Sequence, residues 1–357
     1  MSRMTGFALA LLGTLRFAGD ATALNVNAHA LARARAESLT LPMSQAGETY
    51  LVVVSGIGGE PRFSDAFLEW GSQIVEAAGS KYGVPRENIV FLAEKAGGAG
   101  VTGESRREHV EKAVADVAAR ATPADLLFVV LIGHGSFRGS ESRINLPGPD
   151  LSAQDFAAML DGVKARVAFA NTASASGEWA KTLSGENRAI VTSTKSGNER
   201  NESVFGRFFA QAFAEDVADA DKDGRVSLLE AYDFARSEVQ RHYEGDGLLL
   251  TEHAQIEDTG DGKPGEEAGP DGTEGALAAR MYLGAGGASG SAMPADAGPE
   301  LRALYDTKRE LEEKIAALRS RRASMEEAQY QAELEPLLIE LARTDQQIRR
   351  LSGTGGS

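Results

Sequence analysis

The sequence predicts an α/β protein built on a mainly parallel sheet, followed by a helical region. Short apolar runs alternate with amphipathic stretches over about 150 residues, which is typical of strands and helices in turn. The runs are rich in branched residues and end at glycine or polar turns, as strands buried on both faces do. Residues 300–352 instead place leucine and isoleucine at intervals of three and four, which predicts helices.

The predicted elements follow one another in a regular order. A first strand, YLVVVSGIGG, begins at Tyr50 and is followed by apolar residues at helical spacing. A second strand, NIVFLAE, precedes a helix that Ser105 and Glu108 would open as a capping box. The third strand, DLLFVVLIGHG, is the most apolar, and a short helix separates it from strands four and five, ARVAFAN and NRAIVTST. Parallel sheets bind ligands at the carboxyl ends of their strands, so we expect function in the loops that follow them.

Composition excludes several classes of protein. The 357 residues carry a net charge of −15, so the chain lacks the basic field that gathers nucleic-acid phosphates. Cysteine is absent, which excludes disulfides, thiolate metal sites and a cysteine nucleophile. No run approaches the roughly 18 apolar residues of a membrane span, and none is expected.

The chain divides into five regions by composition. Residues 1–23 have the order of a secretory signal peptide, which predicts a periplasmic or secreted protein; the alternative is a ragged N-terminus on a cytoplasmic one. Residues 24–47 form a linker, and residues 48–283 form the α/β domain. A flexible Gly/Ala/Ser-rich linker, 284–299, leads to a predicted coiled-coil hairpin over 300–352. That hairpin would pack on itself, bind a protein partner or self-associate, or it would lie as a tail on its own domain.

Two polar residues stand where the ligand crevice of such a sheet is expected. His134 lies between two glycines at the end of the third strand, a position that favours a site over packing. Ser174 follows the fourth strand in the stretch NTASASG. If the third and fourth strands are neighbours, the two residues lie side by side as a dyad would.

These two stretches resemble the caspase and legumain group of cysteine peptidases, whose strands end in His-Gly and in an acidic-Ala-Cys-x-Ser-Gly pattern. The resemblance covers roughly residues 48–243 and implies a three-layer sandwich with a mainly parallel sheet. It makes His134 the base or acid, and it places the amides of Gly135 and Ser174 in an oxyanion hole. Ser174 stands where the family has its catalytic cysteine, and Thr172 stands where the family has an acidic residue.

The serine leaves several functions open. A hydroxyl needs a base within hydrogen-bond reach and usually a third group that orients this base, and no orienting acid is evident near His134. One hypothesis is therefore a pseudopeptidase that binds a peptide or protein segment in a retained crevice. The alternatives are a serine endopeptidase using Ser174 and His134, and a structural adaptor that acts through the coiled coil. Ser174 and Ser176 could also simply cap the next helix, near Glu178.

Further residues are candidates for contacting a substrate. We expect Arg62, in the loop after the first strand, together with Asn171 and Ser176, to line the crevice. His253 would approach the same place from a later loop. The loop SGIGGEPRF lacks the G-x-G-x-x-G spacing and is followed by no Walker lysine, so nucleotide binding is not expected.

The stretch DADKDGRVSLLE, residues 219–230, matches the twelve-position calcium loop of an EF-hand. Hard oxygen ligands recur at the required spacing, with Gly224 at the sharp turn. The predicted Ca²⁺ ligands are Asp219, Asp221, Asp223, the Arg225 carbonyl and Glu230. The alternative is a solvated acidic loop between two helices.

Overall fold

A computed structural model of the chain describes residues 47–215, 217–221, 225–270, 272–284, 298–320 and 325–351. The predicted signal peptide and almost all of both predicted linkers lie outside these residues. In the described part, no helix combines the length and the apolar character needed to cross a membrane.

A seven-stranded sheet forms the centre of the α/β domain, in the order β10-β9-β8-β4-β1-β2-β3. Every neighbouring pair is parallel except β9 and β10, which are antiparallel. A separate antiparallel sheet of β5, β6 and β7 follows β4. The strands are β1 (Thr49–Ser55), β2 (Ile89–Ala93), β3 (Gly103–Glu104), β4 (Leu126–Ile132), β5 (Gly135–Arg138), β6 (Glu141–Ile144), β7 (Leu151–Ser152), β8 (Arg166–Asn171), β9 (Arg188–Thr192) and β10 (Gln255–Glu257).

Helices cover both faces of the seven-stranded sheet. The helices are α1 (Pro61–Ser80), α2 (Arg107–Arg120), α3 (Ala153–Leu160), α4 (Glu178–Leu183), α5 (Phe205–Ala214), α6 (Leu228–Gly245), α7 (Pro299–Ser320) and α8 (Glu327–Leu351). Apolar residues of α1, α5 and α6 pack on one face, and those of α2, α3 and α4 pack on the other. Successive residues of β4 alternate between these two cores, because side chains of a strand point to opposite faces in turn. The domain is therefore a mixed α/β structure in three layers, as the alternating sequence pattern predicts.

Some local expectations were wrong. Helix α2 begins at Arg107 with Arg106 as its N-cap, and no side chain caps it. The predicted capping box of Ser105 and Glu108 is absent because the helix starts too late for it, and the Ser105 hydroxyl is buried without a partner. The short strands β3, β5, β6, β7 and β10 were not predicted, since two to four residues show no readable periodicity.

The C-terminal region consists of α7 and α8, which pack against each other. Leu301, in the first turn of α7, clusters with Ile348 near the end of α8, so the two helices run antiparallel. Pro336 lies inside α8. The prediction of a helical pair is confirmed, whereas a coiled-coil geometry stays a prediction.

Candidate functional site

The ends of β4 and β8 bring the two predicted polar residues together. These strands pair in parallel, with Leu131 opposite Asn171. His134 follows β4 and Ser174 follows β8, so both lie at the same edge of the sheet. The expectation that the two strands are neighbours is confirmed.

Gly135 lies against both the backbone and the side chain of Ser174. The Gly135 amide donates a hydrogen bond to Ser174 Oγ over 3.2 Å. A Cβ atom at position 135 would overlap the Ser174 carbonyl oxygen and crowd the Arg143 carbonyl oxygen. Only glycine allows this approach, which explains the residue after His134.

His134 rests against aromatic side chains of α1. Its imidazole meets the rings of Phe63 and Phe67 edge-on, with centroid distances of 4.6 and 5.1 Å. This burial lowers the pKa of His134 below its ordinary value, although the Glu202 carboxylate and a hydrogen bond to the Gly58 backbone act against the decrease. The neutral imidazole, which can accept a proton, is therefore favoured near neutral pH.

The Gly58 backbone forms a hydrogen bond with His134, and no pattern in the sequence indicates this contact. A hydrogen bond that raises the pKa of a histidine is one in which the imidazole N–H donates to a carbonyl. Gly58 lies in the loop after β1, where SGIGG indicated only a close turn. Since a backbone carbonyl carries no side-chain signature, a sequence offers no direct sign of this role.

Ser174 is enclosed and is not held by the base. Its residue is 3% exposed, and none of its described hydrogen bonds goes to His134. The next residue, Ala175, adopts a positive φ of 54° and donates its amide to the Glu199 carbonyl over 2.7 Å. The described contact of the hydroxyl is thus with a donor, whereas activation requires an acceptor for its proton.

Asn171 and Ser176 hold the turn internally. Asn171 is 1% exposed, and its Oδ1 accepts a hydrogen bond from the Ala173 amide at 3.1 Å. Ser176 is fully buried, with its hydroxyl 3.2 Å from Ser193 Oγ and 3.1 Å from Thr194 Oγ1. Both side chains thus take part in the packing of the turn, and their contact with a substrate stays a prediction.

Two further expectations concern the ends of this region. Helix α4 has Gly177 as its N-cap and no side-chain cap, so neither Ser174 nor Ser176 caps it.

Arg62 is exposed in the first turn of α1. Its Nε lies 3.1 Å from a Glu60 carboxylate oxygen, and its guanidinium lies 4.3 Å from the Phe63 ring centre. The charge of Arg62 also acts to lower the pKa of His134, and contact of Arg62 with a substrate stays a prediction.

His253, in the loop before β10, contacts Glu199, whose backbone holds the Ser174 turn. His253 Nδ1 lies 2.6 Å from Glu199 Oε1, and the carbonyl of Glu199 holds Ala175. His253 thus reaches the region of the site, as predicted, but through Glu199.

Glu252 is the functional-site neighbour that the sequence analysis missed. It is 4% exposed and accepts hydrogen bonds at 3.0 Å from the amides of Val204 and Phe205, at the start of α5. It also contacts the Ser203 hydroxyl, which lies 2.9 Å from the Thr172 carbonyl oxygen. Burial raises the pKa of Glu252 to about 7. A glutamate beside His253 in the sequence carries no sign that it will be buried at the end of a distant helix.

The predicted calcium loop joins α5 to α6 and brings three carboxylates together. Oxygens of Asp219, Asp221 and Glu230 lie within 4.8 Å of one another. The predicted ligand Asp223 and the turn residue Gly224 lie outside the described residues. Arg225, whose backbone carbonyl was the other predicted ligand, is 9% exposed and places its guanidinium 3.9 Å from the Tyr282 ring centre.

Glu230 is held in place by amides from both ends of the loop. Its Oε2 accepts from the Ser227 amide at 2.9 Å in a capping box, and its Oε1 accepts from the Ala220 amide at 2.9 Å. Burial raises its pKa, and the charge of Asp221 adds to this effect. Converging carboxylates of this kind suit a hard divalent cation, which would relieve their mutual repulsion.

Comparison with known proteins gives little further guidance. No protein-family profile matches the chain, and no curated protein matches it. A similar solved structure is that of protein GSU0716 from Geobacter sulfurreducens, with a TM-score of 0.42 and 11% sequence identity. The match covers 59% of this chain and 92% of that chain. The sheet defines the chain as a mixed α/β protein with a mainly parallel seven-stranded sheet. The comparisons assign it to no family.

Proposed function

We propose that this chain is a non-catalytic relative of the caspase and legumain peptidases that binds a peptide or protein segment between the ends of β4 and β8. The observation that carries the proposal is the position of Ser174 Oγ, which accepts from the Gly135 amide and has no described bond to His134. The neutral imidazole of His134 has a ring nitrogen that can accept a hydrogen bond from a peptide N–H. The same arrangement leaves a serine hydroxyl without the base that it needs.

The alternative, a serine endopeptidase, has a specific observation in its favour. Burial lowers the pKa of His134, which favours the neutral imidazole that a general base requires. A fluorophosphonate probe separates the two functions because it reacts only with an activated serine. We expect no labelling of the wild-type protein, and labelling that disappears in Ser174→Ala would establish the peptidase instead.

A substitution to cysteine tests whether the crevice is retained. The chain has no cysteine, so Ser174→Cys introduces a single thiol where the resemblance places a nucleophile. A thiol ionises far more readily than a hydroxyl, and the neighbouring imidazole can assist. We expect iodoacetamide to alkylate Ser174→Cys more slowly when His134 is replaced by Ala, and we expect hydrolysis of fluorescent casein to appear with Ser174→Cys.

Binding is measured with the same thiol. Casein peptides should protect Ser174→Cys from alkylation, because the proposed ligand lies over it. The matched control is Ser80→Cys, at the exposed end of α1, which peptides should not protect. Equal alkylation rates with and without peptides would contradict a peptide-binding crevice.

We also propose that the loop at residues 219–230 binds Ca²⁺ and stabilises the junction of α5 and α6. The convergence of the Asp219, Asp221 and Glu230 oxygens supports this second proposal. The loop lies at the end of α5 opposite to Ser203 and Phe205, so it serves the structure and not the crevice chemistry. The third hypothesis, an adaptor that acts through the C-terminal helices, is carried by separate observations on α7 and α8.

A further inference from the structure

The C-terminal helices keep large apolar side chains exposed at the middle of α8. Leu338 is 43% exposed and Ile339 is 45% exposed, although most apolar residues of the pair face inward. Beside them runs a groove between the helices, lined by Leu304 and Thr307 of α7 and by Pro336, Ile339 and Arg343 of α8. In a pair of helices, each helix buries only the side that contacts the other. The apolar residues at the middle of α8 can therefore contact a third helix.

The charges of α8 are divided about the same centre. Residues 327–340 contain four glutamates and no lysine or arginine, whereas residues 341–351 contain three arginines and one aspartate. The helix runs from Glu327 to Leu351, so Ile339 is its middle residue. Glu335 and Arg343 both face solvent, and each lies four residues from Ile339.

We propose that α8 pairs antiparallel with α8 of a second copy of this chain, about a two-fold axis at Ile339. A two-fold axis places a surface against itself in the reverse direction, so the apolar centres meet and each acidic half faces a basic half. Glu335 then faces Arg343 of the partner subunit, and the same contact recurs on the other side of the axis. The charge pattern is therefore self-complementary only in the antiparallel arrangement.

The overall charge of the helices agrees with self-association. The whole chain carries a net charge of −15, which opposes contact between two copies. Helix α7, in contrast, carries five acidic and five basic residues, so the helical region adds little to that repulsion. Binding of a different protein would not require Ile339 to lie at the middle of α8, nor an acidic half before it and a basic half after it. Pairing with a second copy requires both features, so we infer that a second copy is the partner.

Sedimentation velocity of the full chain tests the proposal. We expect a concentration-dependent species of twice the monomer mass for the wild type. Replacement of both central residues, Leu338→Ser with Ile339→Ser, should raise the dissociation constant by about tenfold or more, because four apolar side chains leave the interface. The matched control, Leu248→Ser with Leu249→Ser, also replaces two adjacent exposed leucines and should change nothing.

Charge reversal tests the direction of pairing. Glu335→Arg and Arg343→Glu should each weaken self-association, since each places like charges across the axis. An equimolar mixture of the two variants, and also the double variant, should restore it, because both contacts become complementary again. Circular dichroism of each variant should show unchanged helix content, which separates lost pairing from lost folding.

Three results would overturn the proposal. The first is a wild-type chain that remains monomeric up to about 100 μM, well above the micromolar range of specific complexes. The second is a dimer that persists when Leu338 and Ile339 are both replaced by serine. The third is a loss of self-association in Glu335→Arg and Arg343→Glu that mixing the two variants does not reverse. None of these results depends on the crevice, so the peptide-binding proposal stands or fails separately.

Discussion

The contact between Gly135 and Ser174 leaves no room for a side chain at position 135. The same close approach lets the Gly135 amide donate a hydrogen bond to the Ser174 hydroxyl. The absence of a side chain at position 135 therefore sets both the distance between the two loops and the partner of the hydroxyl. A nucleophile requires an acceptor for its proton, and an amide can only donate. At the scale of single residues, the described contacts of Ser174 therefore provide no acceptor for the hydroxyl proton.

The substitution Gly135→Ala should destabilise the protein by about 2–3 kcal/mol or more, since the methyl group forces apart two backbone segments. Urea unfolding measures this loss. Gly162→Ala is the control, because there the nearest atom to an added Cβ, the Met159 carbonyl oxygen, is 3.9 Å away. A Gly135→Ala protein as stable as the control variant would show that the two loops can separate freely.

Helices α5 and α6 connect the acidic loop to the sheet. Helix α5 is apolar on its buried side, with Phe205, Phe209 and Phe213 all fully buried. Helix α6 begins at the capping box of Ser227 and Glu230, so the last predicted ligand of the loop is also part of the helix start. A cation bound by Glu230 would thus act on the position of the whole element.

Calcium at a hundredfold its dissociation constant should raise the melting temperature by about 5–11 °C, because binding then adds about 2.7 kcal/mol to the stability of the folded domain. A chelator should reverse the rise, and Asp219→Ala should remove both responses, as followed by differential scanning calorimetry. Glu215→Ala, which replaces an exposed acid just before the loop, should leave the response intact. A wild-type melting temperature that ignores both calcium and chelator would refute the site.

At the scale of the whole molecule, Glu252 links distant parts of the chain. It joins the segment before β10 to the start of α5 and, through Ser203, to the end of β8. Its pKa of about 7 makes this link dependent on pH. The folded chain holds the Glu252 proton more tightly than the unfolded chain, whose glutamate has a pKa near 4.5.

The stability of the wild type relative to Glu252→Gln should therefore fall as the pH rises from about 4.5 to about 7 and then level off. We expect a change on the order of 1–3 kcal/mol in the difference between their unfolding free energies. Urea titrations at pH 5 and pH 8 measure it. A difference between wild type and Glu252→Gln that stays constant between pH 5 and pH 8 would contradict the raised pKa.

The principal elements of the fold were predictable from local patterns. Strands β1, β4 and β8 are continuous apolar runs, because both of their faces are covered by helices. The helices α1 and α8 show their periodicity in the sequence for the complementary reason, that only one side of each is buried. The strands of two to four residues, and the start of α2 at Arg107 instead of beside Ser105, depend on neighbours that periodicity does not encode.

Local patterns in the sequence place His134 and Ser174 at the ends of central strands, and they place the spaced acids from Asp219 in a loop between two helices. Strand order and burial decided how those residues can act. The pairing of β4 with β8 placed His134 and Ser174 at one edge, and Gly58, Glu199 and Glu252 joined them from segments far away in the sequence. The physical reason is that a residue's chemistry depends on its solvent and its partners, and both are supplied by contacts between segments that only the folded chain brings together.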